Sequence, residues 1–460
     1  MEQVQINDTI AAISTPSGVG GIAVIRISGP KAVEVVNSAW KGTDLKNIKS
    51  HTVHLGKYIS VDGDVIDESV LTFFKAPASF TGEDVIELGI HGSVWIQKEI
   101  LNDLVHRGVR IANPGEFTQR AFMNGKMDLA QAEGVADLIA SSSKAAHDMA
   151  LNQTKGTFSK EFNLLRDNLI EFASLLELEL DFSEEDVEFA DRSALLSLCD
   201  KVLKKVHSLA SSYSRGEVLK NGVPVVIAGV PNAGKSSLLN LLLRDEKAIV
   251  TDIPGTTRDI IEDTVEIDGI LYRFIDTAGI RETDDKVEGI GVQRAISSME
   301  KAYIIIWVID AISDIETQWK ELNKFRTKNL EKNIILLFNK TDLSPSSEYY
   351  SKRYDDSSPI LFSTHTSQGY PELLETLNKI VTDGADPAKD IIVSNARHYQ
   401  TLIKAEESLK RVQEALTMGL SSDLISQELR EAISHLSTLT GSITTTDLLH
   451  SIFSRFCIGK

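Results

Sequence analysis

The stretch VPVVIAGVPNAGKSSLLNLLL, residues 223–243, decides the fold of the central part of the chain. Its run VPVVIA predicts a buried strand and its LLNLLL segment predicts a helix, so the pattern Gly-x4-Gly-Lys-Ser lies between a strand and a helix. A phosphate-binding loop needs this context, because its glycines let backbone N–H groups turn toward phosphate oxygens at a helix amino terminus. In such a loop Lys235 reaches the β- and γ-phosphates, and the Ser236 hydroxyl binds Mg²⁺. The predicted contact residues are Asn232, Ala233, Gly234, Lys235, Ser236 and Ser237.

Short apolar runs alternate with helical stretches from about residue 217 to residue 385. The runs read VPVVIAGV, LYRFIDTAG, YIIIWVID, NIILLFNK and PILFST. Strands of a parallel sheet are covered by helices on both faces, so they read as continuous apolar runs. We therefore predict a parallel α/β domain over residues 217–385.

The segment NKTD, residues 339–342, indicates which base is bound. The Asp342 carboxylate can accept from the N1–H and the exocyclic amino group of guanine, whereas adenine has no such pair of donors. This predicts GTP as the nucleotide. The expected guanine contacts are Asn339, Lys340 and Asp342, with Ser363 and Thr364 of the loop STHTSQG, residues 363–369.

Two further segments complete the predicted phosphate side of the site. Asp276 of DTAG, residues 276–279, can reach the magnesium shell, and Gly279 can turn its N–H to the γ-phosphate. Many GTPases follow DTAG with a water-orienting glutamine, but the residue here is Ile280, so Glu288 becomes a candidate for that role. The alternative is that Glu288 is a solvent-facing acid in a mobile loop. Thr257 is the predicted second magnesium ligand, and Arg258 is a further candidate catalytic residue. The remaining predicted contacts are Thr277, Ala278, Thr251, Asp252, Ile253, Pro254, Gly255 and Thr256.

The segments on either side of the α/β block have a different character. Residues 1–118 show strands and turns with one helix, and the Asp-Gly pair in VDGDV, residues 61–65, predicts a tight hairpin. Apolar residues then recur at spacings of three and four, which is typical of amphipathic helices. Because insertions are tolerated where the ends of a domain lie close together, we predict a helical domain, residues 119–216 and 386–460, interrupted by the α/β domain.

Composition restricts the class of protein. The 460 residues are 42% hydrophobic and 25% charged, which predicts a folded soluble protein. The absence of a signal peptide or a membrane-length apolar run predicts a cytoplasmic location without membrane contact. The two cysteines are too few for a disulfide framework, and Cys199 lies on an apolar helical stripe, so we expect it to be buried. A net charge of −18 argues against non-specific coating of nucleic acid, so RNA binding would need a local basic patch or a partner.

Taken end to end, the sequence resembles the MnmE (TrmE) family of tRNA modification GTPases. The motifs are TIAAISTPSGVGGIAVIRISGP, SFTGEDVIEL, PGEFTQRAF, NGKMDLAQAE, GVPNAGKSSLLN, TDIPGTTRD, DTAGIR and FCIGK, in the order of the family. The resemblance implies an amino-terminal α/β domain, residues 1–118, that forms a homodimer and binds 5-formyltetrahydrofolate or a related tetrahydrofolate. It also implies a helical domain interrupted by a Ras-like G domain. The family acts with the FAD enzyme MnmG, in a heterotetramer, to add aminomethyl or carboxymethylaminomethyl groups to carbon 5 of the wobble uridine of certain tRNAs.

The resemblance also carries roles to individual residues. It places a K⁺ site on Asn232, the carbonyls of Thr251 and Ile253, and Thr256, and in the family K⁺-dependent dimerisation of G domains activates hydrolysis. It aligns Glu288 with the catalytic glutamate and assigns Mg²⁺ to Ser236 and Thr257. The folate contacts align with Arg26, Glu83, Lys126 and Lys460.

The segment FCIGK, residues 456–460, raises its own question. It is not a prenylation signal, because Gly459 and Lys460 follow the cysteine. The resemblance places Cys457 beside the folate pocket, where it would serve as a nucleophile or activator. The alternative is that Phe456 and Ile458 pack and Cys457 fills space with them.

Two other functions fit parts of the sequence. A ribosome-assembly GTPase would share the G motifs, but it explains neither the amino-terminal block nor FCIGK. The second is a folate-sensing protein whose GTPase regulates assembly, without direct tRNA chemistry. Such a protein would share the amino-terminal block and FCIGK.

Overall fold

The computed structural model describes residues 8–181, 192–245, 263–275, 298–343 and 359–459. Contacts between residues divide the chain into two units. The first comprises residues 1–136, 153–167 and 433–460, and the second comprises residues 137–152 and 168–432.

A seven-stranded sheet organises the first unit. Its strands, numbered along the chain, are β1 (Ile10–Ile13), β2 (Ile22–Ser28), β3 (Trp40–Lys41), β4 (Thr52–Ile59), β5 (Val65–Phe74), β6 (Val85–His91) and β7 (Arg110–Ile111). Their order is β3-β4-β5-β6-β2-β1-β7, and the described pairs are antiparallel except β1 with β7. The hairpin predicted at residues 61–65 joins β4 to β5, where the Ser60 N–H donates to the Asp64 carbonyl at 2.9 Å.

Two helices, where the sequence indicated one, accompany this sheet. They are α1 (Ala32–Ala39) and α2 (Val94–His106), so the prediction of a single helix was wrong. Helix α1 reads AVEVVNSA, whose valines have a preference for strands. Tertiary packing overrides this preference, because Ala32, Val35, Val36 and Ala39 form one buried helical stripe in the core.

Twelve further helices follow along the described chain. They are α3 (Glu116–Met123), α4 (Leu129–Ala140), α5 (Lys144–Thr154), α6 (Thr157–Asp181), α7 (Arg192–Ser211), α8 (Tyr213–Asn221), α9 (Lys235–Asp245), α10 (Ile315–Lys328), α11 (Tyr370–Thr382), α12 (Ala396–Thr417), α13 (Ser422–Thr440) and α14 (Thr446–Phe453). In the first unit, Leu129 of α4 packs in a small apolar core with Ile452 and Phe453 of α14 and with Phe456. This core packs α14 and the first residue of FCIGK against the start of the helical segment.

The parallel sheet predicted around residues 223–243 is confirmed in the second unit. Its strands are β8 (Val223–Ala228), β9 (Asp263–Ile267), β10 (Ile270–Phe274), β11 (Ile304–Asp310), β12 (Asn333–Asn339) and β13 (Ile360–Leu361). Their order is β13-β12-β11-β8-β10-β9, and all described pairs are parallel except β9 with β10. In such a sheet, ligands bind beyond the carboxyl ends of the strands, where β8 and β12 deliver the loops of interest.

Helices cover both faces of this sheet, as the continuous apolar runs predicted. Ile304 and Ile306 of β11 pack in the core that contains Leu238 of α9. Their neighbour Ile305 packs in the second core, with Leu322 of α10. Successive residues of β11 therefore face opposite layers, and every residue of the strand is buried.

The amphipathic helices of the second unit are also confirmed. The buried residues of α7 include Leu195, Cys199, Val202, Val206 and Leu209, and α7 packs against α12. Burial raises the pKa of the Cys199 thiol to about 12, so this cysteine is an unreactive core residue, as expected. Among the described residues, no helix has the length and apolar character needed to cross a bilayer.

Candidate functional site

The loop between β8 and α9 has the backbone conformation of an anion-binding loop. Gly229, Asn232 and Gly234 all have positive φ, at 139°, 62° and 97°. A Cβ at Gly229 would collide with the carbonyl oxygen of Val308, and one at Gly234 would collide with the side-chain amide of Asn339. Glycine is therefore required at both positions, and the loop leads directly into the amino terminus of α9, which favours a phosphate.

Lys235 is the first residue of α9, and its amine folds back over the loop. Nζ donates to the carbonyl oxygens of Gly229 at 2.9 Å and Val230 at 2.8 Å. Burial lowers the pKa of this amine from its ordinary value. Ser236 lies in the first turn of the same helix and Ser237 is exposed beside it. If phosphate oxygens replaced these two carbonyl oxygens, the Lys235 ammonium group would gain a negatively charged hydrogen-bond partner.

Asn339, the last residue of β12, joins the phosphate loop to the predicted guanine loop. Its side chain is buried, Nδ2 donates to the Ala233 carbonyl at 2.8 Å, and Oδ1 accepts from the Thr364 N–H at 3.2 Å. Ser363 is buried and orders its own turn, because its Oγ accepts from the N–H groups of His365 and Thr366. The structure thus brings Asn339, Ser363 and Thr364 together with the phosphate loop.

Lys340 and Asp342 follow Asn339 in a turn with a left-handed first residue. Lys340 has φ 65°, and its Nζ pairs with Asp310 Oδ2 at 2.7 Å. Burial raises the pKa of Asp310, but hydrogen bonds from Lys340, the Ile312 N–H and Ser313 outweigh it, so the pKa lies below its ordinary value. The Asp342 side chain is exposed, as a carboxylate that receives a base must be.

Several predicted contacts cannot be located, because they lie outside the described residues. They are Thr251, Asp252, Ile253, Pro254, Gly255, Thr256, Thr257, Arg258, Asp276, Thr277, Ala278, Gly279, Glu288 and Lys460.

A loop at residues 77–83 brings together the three described candidates of the amino-terminal site. Arg26 has its guanidinium carbon 5.2 Å from the centroid of the Phe80 ring, and it pairs with Glu87 at 2.8 Å. Lys126 donates from Nζ to the Pro77 carbonyl at 2.9 Å. Glu83 is in the loop itself, so an arginine, a carboxylate and an exposed amine meet on one segment.

Hydrogen bonds hold the backbone of the segment FCIGK against two other residues of the first unit. The Gly115 N–H donates to the Cys457 carbonyl at 3.4 Å, and Ser14 Oγ donates to the Gly459 carbonyl at 3.1 Å. Phe456 is buried, whereas the side chains of Cys457 and Ile458 are exposed. The alternative that Cys457 fills space in a core with Ile458 is therefore wrong, because its backbone is held while its thiol faces solvent.

The sequence did not reveal the ion cluster beneath Glu83. Arg120 of α3, with 1% of its side chain exposed, contacts Glu83, Asp8 and Glu116. Asp8 and Glu83 are 112 and 37 residues from Arg120, so no local pattern could indicate the pairing. The one available signal was an arginine between Phe117 and Phe122 of the helical segment EFTQRAF, because a charge among residues that pack in a core needs a partner.

Comparison with known proteins decides the family. The family described as "GTP-binding protein TrmE N-terminus" matches residues 9–126, and the family described as "MnmE helical domain" matches residues 129–457. This chain belongs to the MnmE family of tRNA modification GTPases. The relative from Parabacteroides distasonis is 48% identical over 459 residues, which cover 98% of this chain and all of that protein. The relative from Christiangramia forsetii is 45% identical over 476 residues, which cover 99% of this chain and all of that protein.

Both relatives carry the name tRNA modification GTPase MnmE. A solved structure of Era in complex with MgGDPNP and 16S ribosomal RNA nucleotides is 28% identical over 40% of this chain and 65% of its own. Its TM-score of 0.28 is too low to add to the assignment. Family membership confirms the expected fold class, an amino-terminal α/β domain and a helical domain interrupted by a Ras-like G domain. It also confirms that this chain binds and hydrolyses GTP and acts in tRNA modification.

Proposed function

We propose that this protein is a K⁺-stimulated GTPase that acts with an MnmG-type FAD protein on the wobble uridine of certain tRNAs. Together they add an aminomethyl or carboxymethylaminomethyl group to carbon 5, with a tetrahydrofolate as the source of the one-carbon unit. The observation that carries the proposal is the full-length family match of a chain that holds both a phosphate loop and the loop 77–83 cluster. The ribosome-assembly alternative explains only the first of these two sites.

The side chains around loop 77–83 fit a folate. A folate has a pterin ring whose N–H groups suit a carboxylate and a glutamyl tail whose carboxylates suit cations. Glu83 has 18% of its side chain exposed, which leaves one edge for such donors. Arg26 and Lys126 supply the cations, with Lys460 as a further proposed contact. When bound, the folate would supply the one-carbon unit, and the exposed Cys457 thiol would be available to the reacting uridine or to that unit.

The phosphate side fits Mg²⁺ and K⁺ in part. Hard cations take oxygen ligands, and Ser236 offers a hydroxyl at the start of α9. Asn232 is exposed on the loop, where its side-chain oxygen is available to a monovalent cation. We assign the remaining ligands to Thr251, Ile253 and Thr256 for K⁺ and to Thr257 for Mg²⁺. Glu288 would orient the attacking water, while Lys235 and Arg258 would stabilise charge on the phosphates.

An open sheet face supports the proposed homodimer. Val53 and Leu55 of β4 and Val70 of β5 are 63%, 67% and 41% exposed, and Leu55 lies directly opposite Val70. Lys57 lies opposite Glu68 at the edge of this apolar strip. A strip of this kind can pair with a second copy of itself across a two-fold axis.

A contact within the second unit supports coupling between GTP and the helices. The Ala145 N–H at the start of α5 donates to the Gly269 carbonyl in the β9–β10 turn at 2.8 Å. Met149 of α5 packs in the core that contains Val265 of β9. Along the chain, the β9–β10 hairpin lies between residues 251–259 and DTAG. A movement of either segment would therefore be transmitted through the hairpin to α5. Hydrolysis would then release two G domains that GTP had closed on each other, and the helices would move.

Nucleoside analysis of tRNA tests the proposal. Cells that carry Lys235→Ala or Cys457→Ser should lose the modified wobble uridine, because one variant cannot grip the β- and γ-phosphates and the other lacks the thiol. Lys379→Ala, on an exposed position of α11, is the matched control and should leave the nucleoside at its normal level. Full modification in the Lys235→Ala cells would refute tRNA chemistry driven by GTP and favour the folate-sensing alternative.

A further inference from the structure

We propose that Arg120 is a positioning residue that holds the Glu83 carboxylate for the N–H donors of a pterin ring. The inference rests on the proposed folate function of this site. It adds a residue that does not touch the ligand and acts through one that does.

Arg120 makes its contacts from a buried position. Its Nη1 donates to both carboxylate oxygens of Glu83 at 3.2 Å and to the Asp8 carbonyl at 2.8 Å. Its Nη2 donates to Asp8 Oδ1 at 2.7 Å and to Glu116 Oε1 at 3.0 Å. Because a buried arginine in this fork geometry has little freedom, the groups that it contacts are held at defined angles.

Glu83 has a second tether on the protein side. Ser28 Oγ, on β2, lies 2.7 Å from Glu83 Oε2, and the same hydroxyl lies 2.7 Å from Thr81 Oγ1. A carboxylate has about four acceptor positions, and Arg120 and Ser28 occupy those that face the protein. The exposed edge is left for a ligand, and a carboxylate that is already oriented loses little side-chain entropy on binding.

A second arginine shows which part of the cluster is structural. Arg110 donates from Nε to Asp8 at 2.7 Å and from Nη1 to Glu116 at 2.9 Å, and it has no contact with Glu83 among its hydrogen bonds and ion pairs within the described residues. Burial raises the pKa of Glu116, but hydrogen bonds from Arg110, the Asn113 N–H and Arg120 outweigh it, and the pKa is lowered. Arg110 and Arg120 therefore share two carboxylates, and only Arg120 also reaches the third.

The same arginine connects Glu83 to the FCIGK segment. Arg120 and Glu116 are both in α3, and Gly115, immediately before this helix, donates its N–H to the Cys457 carbonyl. Helix α3 thus carries the arginine that contacts the carboxylate proposed for the pterin, and the residue just before the helix contacts the backbone of the proposed reactive cysteine. Arg120 positions Glu83 relative to that helix.

Calorimetric titration of the full-length protein with 5-formyltetrahydrofolate tests the assignment. We expect Arg120→Lys, which keeps the charge but loses the fork, to weaken binding about tenfold or more. We expect Ser28→Ala, which removes the other tether and leaves the ion cluster intact, to weaken binding severalfold. Arg110→Lys is the matched control, because it disturbs the same two carboxylates, and its affinity should stay within about threefold of wild type.

A double-mutant cycle separates positioning from a structural effect. If Arg120 acts through Glu83, adding Arg120→Lys to Glu83→Gln should cost less than about twofold beyond Glu83→Gln alone. Multiplicative losses in the double variant, or equal losses in Arg110→Lys and Arg120→Lys, would overturn the assignment. Thermal unfolding and GTP turnover of each variant check that it is folded. If Arg120→Lys does not fold, a Ser28→Ala protein that binds folate as tightly as wild type would still overturn the assignment, because the assignment requires that tethers on the protein side of Glu83 raise affinity. If the wild-type protein binds no folate, the proposed folate site itself is refuted. That result is distinguishable from any difference in affinity between variants.

Discussion

Replacement of Asn339 by alanine is the sharpest test of the nucleotide site. The Asn339 side chain donates to the Ala233 carbonyl at 2.8 Å and accepts from the Thr364 N–H at 3.2 Å, with 1% of the residue exposed. It therefore joins the loop that receives phosphate to the loop that receives guanine. Asn339→Ala breaks both connections and leaves two backbone groups without their partner.

The structure sets the size of the expected effect. Each buried polar group that loses its partner costs about 1–3 kcal/mol, and relaxation of two loops recovers part of that cost in the free protein. GTP must bring both loops back to the binding geometry, so the lost order appears as lost affinity. We expect GTP to bind about 2–3 kcal/mol more weakly, which is roughly a 30- to 150-fold increase in Kd.

The assay is an equilibrium titration with a fluorescent GTP analogue at saturating Mg²⁺. Asn333→Ala is the matched control, because Asn333 lies at the other end of β12 and its side-chain amide donates to the Tyr303 carbonyl at 3.1 Å. Asn339→Asp keeps the acceptor for Thr364 but sets a carboxylate oxygen against the Ala233 carbonyl, so it should also bind weakly. A folded Asn339→Ala protein that binds GTP within about threefold of wild type would refute the reasoning.

Two further predictions concern hydrolysis. GTP turnover should be much faster in K⁺ than in Na⁺ at matched ionic strength. Asn232→Ala should abolish the difference, because it removes a ligand of the cation. Equal rates in both salts, together with normal turnover of Asn232→Ala, would exclude the K⁺ site. Glu288→Ala should bind GTP with normal affinity and hydrolyse it at least about 100-fold more slowly, because general-base assistance contributes at least this factor; single-turnover kinetics measure it, and wild-type turnover would remove the proposed role.

Local patterns explain why the phosphate loop and the strands beside it could be predicted from the sequence. The order strand, Gly-x4-Gly-Lys-Ser, helix requires only neighbouring residues, and the structure confirms it between β8 and α9. Asn339 ends the buried strand β12 and Asp342 follows it, so this part of the site is also marked by neighbouring residues. The sequence indicated one helix where the structure has two, and α1 is hard to recognise locally because its valines favour strands and only the core beneath it stabilises the helical conformation.

The amino-terminal site was predicted only through the family resemblance, and its supporting residues were not predicted. Nothing close in the sequence relates Arg120 to Asp8 or Glu83, since ion pairs that fold long-range loops leave no periodicity. The exposure of Cys457 is of the same kind. An apolar neighbourhood, FCI, suggests burial, but packing buries Phe456 alone and leaves the thiol in solvent.

The sequence by itself determined the parallel sheet, the phosphate loop, the preference for guanine and the family. Each of these depends on short segments in which neighbouring residues carry the relevant chemistry. The tertiary structure decided which carboxylate Arg120 holds, how Asn339 joins two loops, and that the cysteine of FCIGK is accessible. The physical reason is that burial and partner geometry depend on residues that meet only when the chain has folded.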